Sequence, residues 1–76
     1  MDAATMKMLA VGLTAGLGLL GPALGIGLIG FSALQGIARN PEASGPIMTN
    51  MILVTAFCEA IGIYALIVAI ILAMIV

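Results

Sequence analysis

The sequence has few charged residues, no histidine and no tryptophan. Charged side chains make up 7% of the 76 residues, and two cations against three acids give a net charge of −1. Nucleic-acid binding needs a basic surface that this chain does not have, so we expect no nucleic-acid partner. One cysteine and no histidine provide neither a disulfide within the chain nor a zinc-ligand cluster, and we expect no metal and no cofactor.

Hydrophobic residues dominate what remains. They make up 64% of the chain, and the mean hydropathy is +1.41. A soluble domain of this length would need a polar surface to cover its small core, and too few polar residues are present to form one. The composition is that of a membrane protein for which lipid is most of the solvent.

Two long apolar stretches are separated by one polar segment. No residue from Met8 to Ala38 is charged, and the stretch from Pro46 to Val76 contains a single acid. Both exceed the ~20 residues that a helix needs to cross a bilayer, whereas two spanning strands cannot close a barrel. We predict an all-α, single-domain protein over residues 1–76. It is a membrane-embedded hairpin with helix 1 at about 5–38, a polar loop at about 39–45 and helix 2 at about 46–76.

The predicted loop depends on two prolines. Pro41 disfavours helical geometry at Asn40, which precedes it. Gly45 and Pro46 then form a pair at which a new helix is expected to begin. The connection is therefore predicted to be short and polar.

Helix 1 is rich in glycine, which a water-exposed helix tolerates at a cost of roughly 1 kcal/mol per residue relative to alanine. In a membrane, glycine lets helix backbones approach closely. The pairs Gly12–Gly16 and Gly21–Gly25 have the small-xxx-small spacing of packed transmembrane helices. With Gly27 they are the candidate packing positions. Because glycines occur on more than one side of the helix, we expect neighbours on several faces, as in a tight oligomer.

The acid in helix 2 is Glu59, which lies about 12 Å along the helix axis from Met51, where the dense apolar run begins. A charged carboxylate at membrane depth costs at least ~2.5 kcal/mol, so the neutral, protonated form is favoured against lipid. Neutral Glu59 is a stored proton. The alternative is a buried acid that only specifies helix packing, as in a small structural or pore-forming, holin-like hairpin.

The residues on the same helical face as Glu59 are mostly small. Ala56 and Thr55 precede it by three and four residues, and Gly62 and Ile63 follow it by three and four. Thr55 is the one nearby hydroxyl and is a candidate to support the proton site. Ordinary helix packing explains the same residues equally well.

Over essentially its whole length the chain resembles the c subunit, or proteolipid, of F-type ATP synthases. Three segments carry the resemblance, and together they are highly specific: Gly21-Pro22-Ala23-Leu24-Gly25-Ile26-Gly27, Ala38-Arg39-Asn40-Pro41-Glu42, and Phe57-Cys58-Glu59-Ala60 with Tyr64 five residues after the acid. The resemblance implies a homo-oligomeric ring of identical hairpins, embedded in lipid, that turns against the a subunit of the stator. It does not imply an enzyme, since such a protein translocates ions without catalysing a reaction.

The resemblance also assigns roles to individual residues. Glu59 matches the carboxylate that takes a proton from one half-channel and releases it into another beside an arginine of the stator's a subunit. Arg39, Asn40 and Pro41 match the loop that touches the central-stalk subunits gamma and epsilon. The backbone carbonyl at Phe57 and the hydroxyl of Tyr64 are implied to assist the protonated carboxyl. Tyr64 is about 140° round the helix from Glu59, so periodicity alone does not pair them.

The same resemblance bears on which ion is carried. Sodium-type members have a glutamine where Ile26 stands and a serine or threonine where Ala60 stands, and a hard cation needs such oxygen ligands. Both oxygens are missing, so we expect proton coupling, with a sodium-coupled member of the family as an alternative in which Thr55 and water supply ligands. V-type proteolipids mostly have doubled, four-helix chains. The chain begins at Met1 without an Arg-rich, Ser-rich transit segment, which favours a bacterial plasma membrane over an organelle inner or thylakoid membrane.

Overall fold

The computed structural model of the protein describes all 76 residues as one antiparallel helical hairpin. Helix α1 spans Ala3–Arg39, a short 3₁₀ turn spans Pro41–Ala43, and helix α2 spans Ser44–Met74. The molecule measures 58 × 18 × 7 Å, which fits two long helices lying side by side. Both helices are long and apolar enough to cross a membrane. The predicted all-α hairpin is confirmed.

The connection between the helices is shorter than the predicted loop at 39–45. Arg39 is still helical, and α2 already begins at Ser44. Asn40, with φ −142° and ψ 83°, is the residue that leaves helical geometry, as expected before Pro41. Gly45 and Pro46 lie inside the first turn of α2. A proline is tolerated there because the first amides of a helix have no intrahelical partner.

Small residues let the two helices approach closely along a line that we call the seam. Ala33 on α1 and Gly62 and Ala69 on α2 are the buried residues of the hairpin. At Gly18 the helices are so close that an added Cβ would lie 2.6 Å from the Cβ of Ala65. The hairpin is therefore held by close backbone packing rather than by large interlocking side chains.

Most large apolar side chains of the hairpin point away from the seam and remain exposed. Leu17, Leu28 and Leu34 on α1 are each about two-thirds exposed. Exposed surface of this kind is costly in water but not in lipid, where backbone groups are satisfied within each helix. The hairpin is thus a membrane protein whose outer faces meet either lipid or further protein chains.

The amino-terminal end of α1 is capped by Asp2. Its carboxylate accepts a hydrogen bond from the backbone amide of Thr5 at 2.8 Å. This hydrogen bond from the Thr5 amide is the main cause that holds the pKa of Asp2 below its usual range. Because the pKa is lower in the folded state than in the unfolded one, the cap acts fully above the unfolded pKa and is lost as the pH falls through the folded pKa.

We therefore expect the first turn of α1 to fray in acid. Protection of the Thr5 amide against hydrogen exchange, corrected for the intrinsic rate, should be constant near neutral pH and fall below about pH 4. An Asp2→Asn variant keeps a capping oxygen that does not titrate, so its protection should stay level. Equal acid loss in both proteins would contradict the assignment of the cap to the carboxylate.

Candidate functional site

Glu59 lies on α2 opposite the middle of α1. Two close approaches across the seam show which part of α1 lies beside Glu59. A Cβ added at Gly25 would lie 3.4 Å from the Sγ of Cys58, and one added at Gly62 would lie 3.8 Å from Pro22. Glu59 follows Cys58 directly, so it stands opposite the segment between Pro22 and Gly25.

The two cations of the chain are far from this carboxylate. Lys7 lines a groove with Ala73, which is 14 residues, or about 21 Å, beyond Glu59 along α2. Arg39 is 14 residues beyond Gly25 along α1, again about 21 Å from the level of the acid. Because the hydrocarbon core of a bilayer is ≈ 30 Å thick, Glu59 lies deep in the membrane when the cations are at its surfaces. No cation of its own chain reaches it.

The carboxylate borders an open groove of about 430 Å³ between the two helices. The groove is lined by Leu19, Pro22, Ala23, Ile26, Glu59, Gly62, Ile63 and Leu66. Glu59 is the one side chain among them that carries a polar group, and it is exposed in the single hairpin. The side-chain hydrogen bonds of the hairpin join Asp2, Thr49 and Asn50 to backbone groups and do not involve Glu59. The acid therefore has room, an apolar surrounding and no internal partner.

The three predicted supporting residues do not line this groove. Thr55 is half-buried, one turn before Glu59 and about 40° round the helix from it, on the side of Cys58. Phe57 and Tyr64 are 65% and 66% exposed. They lie about 160° and 140° round α2 from Glu59, on its far side. Within one hairpin, Glu59 and Tyr64 do not meet.

The hairpin consequently has two different flanks. The Glu59 flank carries the acid, together with Ala23 and Ile26 of α1. The Tyr64 flank carries Phe57 and Tyr64 with a second open groove of about 530 Å³ nearer the loop. That groove is lined by Leu28, Ile29, Ser32, Ala33, Pro46, Ile47, Asn50, Met51 and Val54. By helical periodicity Asn50 and Phe57 share one face of α2, since seven residues nearly complete two turns.

The predicted packing glycines are divided between the seam and the outer faces. Gly25 faces Cys58 in the seam, whereas a Cβ added at any of the others, Gly12, Gly16, Gly21 and Gly27, would meet nothing within 4 Å. At about 100° per residue, Gly12, Gly16 and Gly27 fall within about 60° of one another, on the Glu59 flank, and Gly21 lies on the opposite side. These four glycines leave open surface on both flanks for other chains.

The predicted loop residues Arg39, Asn40 and Pro41 are exposed together at one end of the hairpin. Both chain termini lie at the other end. The turn that they form is short and is framed by the last turn of α1 and the first turn of α2. This turn is the polar surface at this end of the molecule.

Several residues of the site were not identified from the sequence. Pro22 lines the groove, and Gly18 and Gly36 form the seam with Gly25 and with Gly62, which the sequence already places on the helical face of Glu59. A signal for the seam was present in α2, where small residues recur at alternating spacings of four and three: Cys58, Gly62, Ala65 and Ala69. That spacing marks one side of a helix. The glycine pairs of helix 1 alone did not show which side faces α2.

Comparisons with a family model and with individual proteins point to the same family. Residues 9–72 match the family model for the C subunit of ATP synthase. The chain is 57% identical over 72 residues to an ATP synthase c subunit from Dehalococcoides mccartyi, covering 95% of both chains. The ATP synthase c subunits of Petrotoga mobilis and Prochlorococcus marinus are 46% and 47% identical over 66 residues. That alignment covers 87% of this chain in each case, and 69% and 82% of theirs.

Proposed function

Since the chain belongs to the family of ATP synthase C subunits, we propose that it is a proton-translocating rotor component of the membrane Fo sector. Glu59 binds a proton, carries it as the ring turns, and releases it on the other side. The observation that carries the proposal is the position of Glu59, a lone acid deep between the helix ends in an otherwise apolar groove. The protein itself is non-catalytic, and ATP is made or hydrolysed elsewhere in the complex.

The two flanks of the hairpin support assembly into a ring of identical chains. If the Glu59 flank of one copy packs on the Tyr64 flank of the next, every copy makes the same two contacts, and such head-to-tail contacts form a ring when the rotation between copies closes. The open glycines at Gly12, Gly16, Gly21 and Gly27 allow that close approach. In this arrangement Phe57 and Tyr64 of a neighbouring copy come next to Glu59, although they lie far from the acid of their own chain. Tyr64 and the Phe57 carbonyl then assist the protonated carboxyl across the interface, and Thr55 supports it from one turn before it on the same helix.

The positive charge that an ionised Glu59 needs is supplied by another protein. Inside the membrane an ionised carboxylate needs an opposite charge, and both cations of this chain lie about 21 Å away along the helices. We propose that an arginine of the stator's a subunit provides that charge as each Glu59 passes it. Against lipid the acid is protonated, and beside the arginine it ionises and releases its proton.

The composition of the groove supports a proton rather than sodium as the cargo. Ile26 lies in the groove beside Glu59, where a sodium site would need an oxygen ligand. Glu59 is the one polar side chain that lines the groove. A hard cation held by one carboxylate alone lacks the several oxygen ligands that it requires.

The remaining assignments concern the surroundings of the ring. Arg39, Asn40 and Pro41, exposed at the tip of the hairpin, contact the central-stalk subunits gamma and epsilon. The membrane is the plasma membrane of a bacterium, as the bacterial relatives support. Lipid covers the apolar faces that the ring contacts leave open.

Carbodiimide labelling of Glu59 at constant pH tests the identity of the ion. Carbodiimides react with a protonated carboxyl, so an ion that binds Glu59 protects it. We expect millimolar sodium to leave the labelling rate of the wild-type ring unchanged. A double variant, Ile26→Gln with Ala60→Ser, restores the two oxygens and should gain protection by sodium. Protection of the wild type would overturn the proton assignment.

A further inference from the structure

We infer that the open groove on the Tyr64 flank is filled by Ile52 of the next copy, so that neighbouring hairpins are in contact from the proton site down towards the loop. This rests on the proposed function, in which the Glu59 flank of one copy packs on the Tyr64 flank of the next. The new element is the side chain that enters the groove, and with it the register in which two copies meet.

The groove on the Tyr64 flank is an unfilled space of about 530 Å³ between the two helices. Its α2 side runs from Pro46 to Val54, and most of its lining side chains are apolar. Protein chains in a membrane associate largely through close packing, and packed protein leaves few voids larger than a water molecule. A side chain from outside the hairpin is therefore expected to occupy this space.

The polar groups of the groove leave it suited to an apolar occupant. Asn50 uses its side-chain amide within its own helix, where Nδ2 donates a hydrogen bond of 2.8 Å to the backbone carbonyl of Pro46. Ser32, on α1, is the other lining residue with a polar side chain, and no charged residue lines the groove. An aliphatic side chain from the next copy matches this lining.

The symmetry of a ring limits which residues can reach the groove. Rotation about an axis along the membrane normal leaves each residue at the same height in every copy. Because Glu59 meets Phe57 and Tyr64 of the neighbour, α2 of one copy lies beside α2 of the next. The occupant must then come from the Glu59 flank of α2, at the height of residues 46–54. Ile52 and Met48 meet both conditions, since seven and eleven residues before Glu59 each fall within about 20° of its direction.

Of these two residues, Ile52 is the better match in register. Beside the proton site, Phe57 of one copy lies next to Glu59 of its neighbour. Asn50 is seven residues before Phe57, and Ile52 is seven before Glu59, so both pairs of residues recur about two turns nearer the loop. The contact beside the acid is thus repeated by Asn50 and Ile52. Ile52 is also the more exposed in the hairpin, at 60% against 43% for Met48.

Cysteine cross-linking in membranes with the complete complex tests this register. In a Cys58→Ser background, Asn50→Cys and Ile52→Cys place two thiols about 200° apart on α2, so a disulfide between them joins different copies. Oxidation bridges cysteines whose Cα atoms come within about 7 Å. We expect a ladder of dimers and larger multimers on denaturing gels.

The matched control is the pair Thr49→Cys with Met51→Cys, which has the same spacing of two residues. Thr49 is nine residues before Cys58 and therefore points away from the seam, whereas half-buried Met51 points towards it. Neither thiol faces the next copy, so this pair should run as monomer. A 50/52 ladder no stronger than that of the control, in rings that assemble, overturns the inference.

A second measurement removes the occupant without a new thiol. Ile52→Ala should make the ring dissociate in detergent at a temperature at which the wild-type ring persists. Ile67→Ala is the same truncation nine residues after Cys58, opposite the seam, and should leave the ring as stable as the wild type. Equal stability of the two variants also overturns the inference, and neither result bears on proton transport by Glu59. If Glu59→Gln still conducts, the proposed function itself fails.

Discussion

Replacing Glu59 with glutamine is expected to abolish proton transport while the ring still assembles. Glutamine has nearly the same size and polarity as protonated glutamic acid, so it suits an apolar groove as well as the neutral acid does. It cannot release a proton, however, and no other lining residue of the groove carries a titratable group. Loss of a positioned acid typically lowers a proton-transfer rate by about a hundredfold or more. Conduction through Fo should therefore fall to background.

The measurement is the decay of a proton gradient in membranes stripped of the catalytic sector, with ring assembly followed on native gels. Glu42→Gln is the matched control, because it makes the same chemical change in the exposed turn at the tip of the hairpin and should leave conduction unchanged. Conduction at the wild-type level in Glu59→Gln would favour the holin-like alternative. So would a variant that loses assembly, since the acid would then serve packing rather than transport.

The fold was predictable because it depends on composition more than on detail. Two apolar stretches longer than a bilayer is thick, separated by Arg39-Asn40-Pro41, leave a helical hairpin as the one arrangement that satisfies the backbone in lipid. The depth of Glu59 followed from the same count of residues along helix 2. The start of α2 was less predictable, since Gly45 and Pro46 usually indicate a break and here occupy a first helical turn.

The side of each helix that faces its partner was not predictable from helix 1 alone. Glycines occur all round that helix, and only contacts with α2 distinguish Gly25, in the seam, from Gly21, on an outer face. Thr55 shares a helical stripe with Glu59 but lies about 40° round the helix from it, and it does not line the groove. Tyr64 was assigned to the proton site although it lies on the other flank of the hairpin. That assignment requires a second copy, which no single-chain pattern includes.

Some glycines of α1 lie in the seam and others on open faces. We therefore expect substitutions at the neighbouring positions Gly16 and Gly18 to disturb different contacts, those between copies and those between the two helices of one hairpin. Gly16 is open in the hairpin, with nothing within 4 Å of an added Cβ, and lies on the Glu59 flank. A Gly16→Leu variant should therefore keep its helices paired, because the new side chain points into lipid. In the ring the same side chain occupies the space of the next copy. We expect the ring band to disappear from native gels and proton conduction to fall to background with it.

Gly18→Ala provides the contrast, since the change is smaller but falls in the seam. The new Cβ would lie 2.6 Å from that of Ala65, and both atoms belong to rigid helix positions, so the helices must move apart. Overpacking of this kind costs about 1–3 kcal/mol. In detergent-solubilised hairpins, NMR contacts between α1 and α2 should weaken in Gly18→Ala and persist in Gly16→Leu. If Gly16→Leu also lost these contacts, or still formed rings, the Glu59 flank would not be the surface on which copies pack.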